Sequence, residues 1–434
     1  MDHHSVIVVG GGQAGLSLSY YLKQHGVDHI VLEKNQLGYA WQHQRWDSFC
    51  LVTPNWQCQL PGFPYAGDSP HGFMGRDQIV DYIKAYVHSF NPPVKEGVTV
   101  HSVSQLSQHQ FQVATSEGDY VASQVVIATG GYHKPKIPTF AARLPHTLTQ
   151  LHSSQYKNSA SLPDGDVLVV GTGQSGCQIA EDLHLAGRRV HLCVGGAPRS
   201  PRRYRGKDVV DWLEQMGYYD IAIDDHPQQE QVRHKTNHYL TGRDGGREID
   251  LRQFALEGMQ LYGRLIDIQA ETLHFDGTLA HNLDQADAVA ESIKRTIDRY
   301  IQDNQIEAPT EPPYEPVWQP SGQEPLSFNY AASNISTVIW SIGYHTDFSW
   351  VNVPVFNGDG YPGHDRGVTP IPGLYFLGLP WLYTWGSGRF SGIARDARYL
   401  ADRILLAERQ ARAATALLER SPLLEIINDM ALGS

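Results

Sequence analysis

Two short glycine-rich stretches contain the residue types that most clearly indicate chemistry. Gly10, Gly12 and Gly15 form a GxGxxG pattern, and the same spacing recurs much later in the chain. Glycines at this spacing let the backbone turn tightly and approach a pyrophosphate, which the free N–H groups of the following helix then bind. Each stretch therefore predicts a dinucleotide site. The residues expected at the two turns are Gly10, Gly12, Gln13, Ala14 and Gly15, and then Gly171, Gly173, Gln174, Ser175 and Gly176.

The residues that follow each turn differ in charge, which predicts two different ligands. Glu33, followed by Lys34, ends the strand after the first turn and would accept hydrogen bonds from an unphosphorylated ribose, as in FAD. After the second turn no acid ends the strand, and Arg199, Arg202 and Arg203 follow. Because guanidinium groups bind phosphate bidentately, we expect these arginines to bind the 2′-phosphate of NADPH. The alternative is a solvated basic loop.

A glycine-rich segment late in the chain places polar and aromatic groups where a flavin could lie. An apolar run ends at Gly378, and Trp385 and Arg389 follow at the start of the last predicted helix, about 390–412. The N-terminus of that helix would stabilise the negative charge of a reduced flavin. We expect Trp385 and Arg389 to act in catalysis, with Arg389 beside the flavin or an anionic substrate. The alternatives are a helix that only packs on the core and an arginine held in a salt bridge.

Each glycine turn lies within a predicted strand–helix–strand unit. Residues 6–9 and 167–170 are wholly apolar, as expected for parallel strands that are buried on both faces. We predict an α/β fold with two Rossmann-like dinucleotide-binding domains, in which the NADPH domain is inserted into the FAD domain. The predicted bounds are 1–155 and 331–434 for the FAD domain and 156–330 for the NADPH domain.

The predicted NADPH domain contains an additional segment, residues 225–325. Its apolar spacing predicts an amphipathic helix at 283–304, and a proline-rich loop follows that helix. It also contains the glycine-rich sequence GRDGGR at 242–247. The segment is either a substrate lid or a surface loop.

Composition excludes several classes of function. The 434 residues carry a net charge of −12, which argues against binding to nucleic acid or to an anionic membrane. No apolar stretch is long enough to span a bilayer and no signal peptide is evident, so we predict a cytoplasmic protein. The four cysteines form no CxxC pair, and His234 and His238 lack a third ligand, so we predict neither a redox disulfide nor a metal site.

Several motifs resemble those of the class B flavoprotein monooxygenases, the flavin-containing monooxygenase family that includes the plant YUCCA-like enzymes. Residues 128–138 match its ATGxxxxPxxP linker, residues 41–54 are similar to its flavin-contacting segment, and residues 205–212 are similar to a bacterial branch. Of its motif FxGxxxHxxx(Y/F), only His152, Ser153 and Tyr156 are present. The resemblance implies a catalytic asparagine at Asn55 and cofactor contacts at Trp41, Arg45, Trp46, Thr53, Ala128, Thr129, Gly130 and Gly343.

The two cofactor sites and the resemblance together predict an NADPH-dependent flavoprotein monooxygenase. FAD would be reduced by NADPH, O2 would be activated at flavin C4a, and oxygen would pass to a small organic substrate. Two alternatives stay open: an FAD-dependent NADPH oxidoreductase or dehydrogenase that inserts no oxygen, and a non-catalytic flavin-binding sensor. We expect no nucleic-acid or membrane partner, and the sequence is compatible with a homo-oligomer.

Overall fold

The structure is a computed structural model that describes residues 2–419. The strands of its first part are β1 (Asp2–Val9), β2 (His29–Leu32), β3 (Gln59–Leu60), β4 (Phe63–Pro64), β5 (Val94–Lys95), β6 (Val100–Ser107), β7 (Gln110–Thr115), β8 (Gly118–Ile127), β9 (Lys134–Pro135) and β10 (Thr149–His152). The later strands are β11 (Asp166–Val170), β12 (Val190–Cys193), β13 (Arg203–Tyr204), β14 (Lys207–Asp208), β15 (Gln260–Tyr262), β16 (Leu265–Gln269), β17 (Thr272–Phe275), β18 (Ser327–Asn329), β19 (Ile335–Trp340), β20 (Tyr344–His345), β21 (Val351–Asn352) and β22 (Leu374–Phe376).

The α-helices fill the connections between these strands. They are α1 (Gln13–Gln24), α2 (Tyr39–His43), α3 (Arg76–Phe90), α4 (Gln174–Leu185), α5 (Val209–Gln215), α6 (Leu251–Leu256), α7 (Leu279–Asp303) and α8 (Ile393–Glu419). Within the described residues, no helix has both the length and the apolar character that crossing a lipid bilayer requires.

Two sheets organise these elements. The first has the strand order β21-β6-β7-β8-β1-β2-β5, with β22 beside β8, and the second has the order β10-β19-β11-β12-β15. Strands β8, β1 and β2 are parallel to one another, as are all five strands of the second sheet. The first sheet uses strands from both ends of the described chain, and the second lies between them. The predicted α/β class with two Rossmann-like units is confirmed.

The chain passes between the two sheets within residues 128–148 and 341–350. Strands β10 and β19, which the predicted bounds assigned to the FAD domain, pair with each other, and β19 also pairs with β11 in the second sheet. We therefore propose that the NADPH domain begins before residue 149 and ends after residue 340, in place of 156 and 330. Met1 and residues 420–434, at the ends of the predicted FAD domain, lie outside the described residues.

The strands that lead into the two glycine turns are buried on both faces. Val6 and Val8 pack among apolar residues of α1, α3 and α8, whereas Ile7 and Val9 pack against β7 and β8. In β11 the same alternation divides residues 167–170 between two further clusters. Because each buried aliphatic side chain contributes roughly 1.5–3 kcal/mol, these strands hold the start of each turn firmly.

Residues 225–325 are built into the second domain. β15 forms the edge of the second sheet, β16 and β17 pair with β18 in a small antiparallel sheet, and α7 packs alongside. The segment therefore shares the apolar core of the second domain and is more than a surface loop, whereas its role as a substrate lid stays a prediction.

Helix α7 begins at Leu279, four residues before the predicted start. The reason is a distant cap: the carboxylate of Glu324 accepts hydrogen bonds from the main-chain N–H groups of Leu279 and Ala280, at 2.9 and 2.7 Å. An acidic group at a helix N-terminus satisfies free N–H groups and complements the helix dipole. A cap that lies so far along the chain leaves no local signal in the sequence.

Candidate active site

The first glycine turn leaves the N-terminus of α1 free to receive a ligand. Gly10 has a φ of 110°, and a Cβ there would lie 2.7 Å from the carbonyl oxygen of Ala128. A Cβ on Gly15 would lie 2.0 Å from the Gly10 oxygen, so α1 and β1 can approach this closely only with glycine. A Cβ on Gly12 would meet nothing within 4 Å, and no side chain caps α1. This open space and the free N–H groups fit a pyrophosphate.

The second turn repeats this geometry closely. Gly171 has a φ of 103°, and a Cβ there would lie 2.8 Å from the carbonyl oxygen of Ser341. A Cβ on Gly176 would lie 1.9 Å from the Gly171 oxygen. Helix α4 likewise has no side-chain cap, and a Cβ on Gly173 would meet only a methyl group at 3.9 Å. The second turn is therefore also shaped to receive a pyrophosphate.

A carboxylate lies at the first turn. Glu33 Oε2 accepts a hydrogen bond from the Gly11 N–H at 2.7 Å, and Oε1 accepts one from the Asn35 N–H at 2.9 Å. The neighbouring Lys34 is exposed. With its carboxylate fixed here, Glu33 suits a ribose with free hydroxyl groups and repels a phosphorylated one.

A neutral hydroxyl makes the corresponding link at the second turn. Val194 takes the place of Glu33, because each residue directly follows the last paired position of its strand. Here the turn side chain Thr172 reaches the strand end, and its Oγ1 accepts a hydrogen bond from the Gly195 N–H at 3.0 Å. No carboxylate forms part of this link, so a phosphorylated ribose meets no repulsion from it.

Two of the arginines predicted to bind a 2′-phosphate are buried in ion pairs. Arg199 is 2% exposed and pairs with Glu248 and Asp287, at 3.1 and 2.9 Å. Arg202 is 1% exposed and pairs with Asp208 at 2.8 Å. Carboxylates already compensate both charges, and neither guanidinium group is open to solvent.

Arg203 is the exposed member of this trio. Its Nη2 donates a hydrogen bond to the Gly245 carbonyl at 3.3 Å, and the rest of its fork is free of carboxylate partners among the described residues. We correct the prediction accordingly: Arg199 and Arg202 are internal, and Arg203 alone is retained as the expected phosphate ligand.

A glutamine in each turn binds the segment that covers that turn. Gln13 Nε2 donates a hydrogen bond to the Gly388 carbonyl at 2.9 Å, and Gln174 Nε2 donates one to the Leu240 carbonyl at 2.5 Å. Residues 378–390 therefore cover the first turn, and residues 236–240 cover the second. The sequence predicted the first cover but gave no motif for the second.

The first cover packs directly on its turn. A Cβ on Gly378 would lie 2.6 Å from the Cβ of Ala14, and a Cβ on Gly388 would lie 2.5 Å from the Gly378 oxygen. Both glycines have positive φ values, 81° and 76°. Glycine is therefore required at both positions for this approach. Ser175, which corresponds to Ala14, is half-buried at the second turn.

The linker residues implied by the resemblance lie beside the two turns. Ala128 is buried at the end of β8, Thr129 is exposed, and Gly130 has a φ of 70°. Gly343 follows β19 beside the second turn, and its carbonyl accepts a hydrogen bond from Nε2 of the buried His152 at 3.1 Å. The histidine of the partial family motif thus fixes the chain where it leaves the second sheet.

Arg389 belongs to the first cover and links it to the second. Its Nη2 donates a hydrogen bond to Asn237 Oδ1 at 3.0 Å, and its guanidinium group stacks on the Trp385 ring at 4.1 Å. It forms no ion pair within the described part of the chain. Burial lowers the pKa of Arg389, and Tyr132 partly offsets that shift. A partly desolvated cation without a partner is costly and fits an anionic group of a ligand.

Arg45 is a second half-buried arginine in the same region. Its guanidinium group lies over the rings of Trp41 and Phe49, at 5.3 and 5.5 Å, and it has no carboxylate partner among residues 2–419. Burial lowers the pKa of Arg45, and Tyr132 partly offsets that shift, as it does for Arg389. The Trp41 ring stacks on the Phe390 ring at 5.6 Å, so Arg45 lies near the residue that follows Arg389.

Three residues singled out by the resemblance have ordinary structural surroundings. Asn55 is 4% exposed, and its side chain accepts a hydrogen bond from the Met74 N–H at 2.7 Å and donates one to the Ser69 carbonyl at 2.9 Å. Trp46 is 3% exposed and packs in an apolar cluster of the second domain. Thr53 is half-buried. These contacts explain Asn55 and Trp46 as parts of the scaffold and offer no support for a catalytic Asn55.

Comparison with known proteins identifies the family. A family model described as pyridine nucleotide-disulphide oxidoreductase matches residues 7–267, which include both turns. The uncharacterized CzcO-like oxidoreductase of Geobacillus kaustophilus is 34% identical over 403 residues, which cover 92% of this chain and 98% of that protein. The chain belongs to this family of oxidoreductases.

Monooxygenases are among its similar proteins. The probable indole-3-pyruvate monooxygenase YUCCA10 of Arabidopsis thaliana is 33% identical over 236 residues, which cover 51% of this chain and 58% of that protein. The structure of a flavin-containing monooxygenase from Stenotrophomonas maltophilia matches with a TM-score of 0.62 and 20% identity, over 94% of this chain and 99% of that chain. The predicted oxidoreductase class and the resemblance to flavin-containing monooxygenases are confirmed, and the family's description agrees with the predicted pyridine-nucleotide site.

The cysteines of this oxidoreductase are unsuited to disulfide exchange. All four are buried and unpaired. Burial raises the pKa of Cys50 to about 11 and that of Cys58 to about 12, and it also raises the pKa values of Cys177 and Cys193. Because the thiolate is the reactive form, these thiols are poor nucleophiles, and the dithiol chemistry in the family's name finds no site in them.

Proposed function

We propose that this oxidoreductase is an NADPH-dependent flavoprotein monooxygenase, with FAD at the first turn and NADPH at the second. The observation that carries the proposal is the contrast between the turns. Glu33 fixes a carboxylate at the first turn, whereas Thr172 offers a neutral hydroxyl at the second. Free ribose hydroxyls suit the first site, and a 2′-phosphate, with Arg203 within the same domain, suits the second.

The role of the protein chain would be to bind and orient the two cofactors and to shield the reacting centre from water. When bound, FAD would take a hydride from the nicotinamide and supply activated oxygen to the substrate. The main-chain N–H groups at the starts of α1 and α4 would hold the two pyrophosphates. Arg389 links the covers of the two turns. It follows Gly388, which binds Gln13 of the first turn, and it donates a hydrogen bond to Asn237, which follows Thr236 beside Gly173 of the second turn.

Two features favour oxygen transfer over electron transfer alone. The buried thiols leave no dithiol acceptor for the electrons. Aromatic rings also collect beside Arg389: Trp385 lies 4.7 Å from the ring of Tyr219, and both belong to one apolar cluster. Such a lining would exclude water from the reacting centre, as oxygen transfer requires. We expect Arg389 to bind an anionic part of the substrate or of a cofactor.

The test is an isotope experiment on the purified, FAD-loaded protein. NADPH and 18O2 would be supplied with panels of amines, thioethers and carbonyl compounds, both with and without an acidic group. We expect one 18O atom in a product for each NADPH consumed above the background rate, and slower consumption with NADH. Stoichiometric H2O2 with every substrate class would instead support the oxidoreductase alternative. Bound FAD without any NADPH consumption would support the flavin-binding sensor.

A further inference from the structure

The glycine-rich sequence at 242–247 packs against residues 48–54 of the first domain. We call these residues the flavin-side loop, because residues 41–54 resemble the flavin-contacting segment of the monooxygenase family. A Cβ on Gly242 would lie 2.0 Å from the carbonyl oxygen of Leu51, and a Cβ on Gly246 would lie 2.7 Å from the ring of Phe73. Gly242 has an ordinary negative φ of −96°, so its backbone does not require glycine. The glycine is there because two segments from different domains touch at this point.

Arg202 reinforces this contact from within. Its Nη1 donates hydrogen bonds to the carbonyl oxygens of Val52, at 2.7 Å, and Thr241, at 3.4 Å. Its Nη2 binds Asp208 at 2.8 Å, and its guanidinium group lies 4.6 Å from the centre of the Phe73 ring. One buried guanidinium thus joins residues of both domains. Lysine, with one point-like donor group, could not reproduce this fork.

Asp182 makes a second connection between the same segments. Its Oδ1 accepts hydrogen bonds from Ser48 Oγ at 2.5 Å and from Arg243 Nη1 at 2.7 Å. Its Oδ2 accepts one from the Tyr156 hydroxyl at 2.6 Å. Helix α4, the flavin-side loop and the glycine-rich sequence therefore meet at one carboxylate. Asp182 is 7% exposed, and charge-assisted bonds at such a site are strong.

We infer that Arg202, Asp182 and residues 241–247 form a clamp that fixes the flavin-side loop, residues 48–54, against the nicotinamide domain. The inference rests on the proposed function, because it assigns the clamp a role in hydride transfer between the two cofactors. Arg202 is a positioning residue: it sets where the loop lies and touches neither reacting atom.

The clamp matters because hydride transfer depends steeply on geometry. Reacting atoms must approach to about 3–3.5 Å, and a displacement of about 1 Å, even from a distant substitution, can cost on the order of 100-fold in rate. A loop that belongs to one domain but is held by the other keeps the two glycine turns in a fixed relation. We therefore expect a loosened clamp to slow flavin reduction more than it weakens NADPH binding.

The first experiment compares Arg202→Ala and Arg202→Lys with Arg188→Ala in the FAD-loaded protein. Arg188 is a matched control because it also donates to main-chain carbonyls, at Pro163 and Gly165, and within the described residues it forms no hydrogen bond to the clamp or to the flavin-side loop. In anaerobic stopped-flow mixing with NADPH, we expect a 10- to 100-fold slower reduction in R202A, a smaller loss in R202K and no change in R188A. The visible circular dichroism of bound FAD should change only in the Arg202 variants.

A second pair of variants keeps the test decisive if R202A fails to fold. Gly242→Ala places a methyl group against the flavin-side loop, whereas Gly187→Ala, after the end of α4 and outside the clamp, meets nothing within 4 Å and adds only backbone strain at a φ of 77°. We expect G242A to weaken FAD binding to the apoprotein and to slow reduction, and G187A to lower Tm alone. If each test variant behaves like its own control while NADPH reduces the wild type normally, the proposed clamp is wrong. If the wild type binds no FAD or is not reduced by NADPH, the proposed function fails instead.

Discussion

The two glycine turns share their steric design but differ in charge. A Cβ on the third glycine of each turn would lie 2.0 or 1.9 Å from the oxygen of the first glycine, at Gly15 and Gly176 respectively. At the ribose end, however, the first turn holds the Glu33 carboxylate and the second holds the Thr172 hydroxyl. Under the proposed function, sterics would allow a dinucleotide to bind at each turn, and electrostatics would decide which one.

The segments that cover the two turns also combine a shared local feature with different surroundings. The glutamines of the two turns make equivalent hydrogen bonds, to Gly388 and Leu240, but the segments that they hold come from unrelated parts of the chain. A local motif can thus be repeated within one protein while its surroundings are not. The two domains are therefore similar at their glycine turns. They differ in the segments that cover the turns, because these segments come from residues that are distant in sequence.

The largest expected effect comes from filling the two tight approaches. Gly15→Ala should yield protein without bound FAD, whereas Gly176→Ala should remain yellow but lose reduction by NADPH. The methyl group would clash with main-chain oxygen in either case, and we expect at least about 100-fold weaker binding of the affected cofactor, about 2.7 kcal/mol. FAD content by absorbance and NADPH affinity by titration measure this.

Gly12→Ala provides the control for this pair. Its Cβ meets nothing within 4 Å, so we expect an unchanged Tm for the apoprotein but weaker FAD binding, since only the ligand comes close. A yellow G15A or a colourless G176A would contradict the assignment of the two cofactors to the two turns.

A smaller effect should follow from giving the second turn an acid. Gly195→Asp would place a carboxylate near Thr172, whose Oγ1 would lie 3.8 Å from the new Cβ, so the side chain fits. We expect NADPH to bind at least about tenfold more weakly, about 1.4 kcal/mol, with a lesser effect on NADH. Gly322→Asp adds the same charge at an exposed glycine and should change neither affinity. Equal losses for NADH and NADPH would indicate steric damage and count against the charge argument.

The smallest expected effects concern pH, and they should have opposite signs at the two covers. Near the first cover, Asp396 in the first turn of α8 is 2% exposed, and burial raises its pKa to about 6. Because the pKa is raised on folding, the protonated Asp396 contributes its full stabilisation below pH 3.8, the usual pKa of an aspartate. This stabilisation is lost as the pH rises through about 6, the pKa in the folded protein. Asp396→Asn should remove that loss, which is about 1 kcal/mol between pH 5 and pH 8.

In the second cover, burial lowers the pKa of His238 below its usual 6.5. The stabilisation is then present above pH 6.5 and is lost as pH falls. His238→Gln should reduce the loss of stability on the acid side. Tm measured from pH 5 to pH 8 tests both variants, with Asp402→Asn, an exposed position on α8, as control. Parallel Tm curves for wild type and D396N would refute the first expectation.

The sequence was sufficient where local chemistry sets the structure. Both turns, Glu33, the buried parallel strands and helix α7 were all predicted, because glycine spacing and apolar periodicity act over a few residues. The covers of the turns were half predicted: residues 378–390 follow a recognisable strand, but Asn237 carries no motif.

Prediction failed where the partner is far away in sequence. The arginine cluster after the second turn indicated a phosphate site, yet Glu248 and Asp287 bind Arg199 from about 50 and 90 residues away. Sequence reasoning could see the cations but not the acids that the fold brings to them. The same limit applies to Gly242, which reflects contact with Leu51, nearly 200 residues earlier in the chain.

The hydrogen bond between Gln13 and Gly388 has a consequence for synthesis, because 375 residues separate its ends. At a translation rate of roughly 5–20 residues per second, the ribosome delivers the second partner roughly 20–75 s after the first. All five strands of the second sheet lie within residues 149–340, so that sheet can be complete before β22 is made. During this interval the nascent chain carries a finished inner domain and an open outer one, whose apolar strand edges chaperones would have to protect.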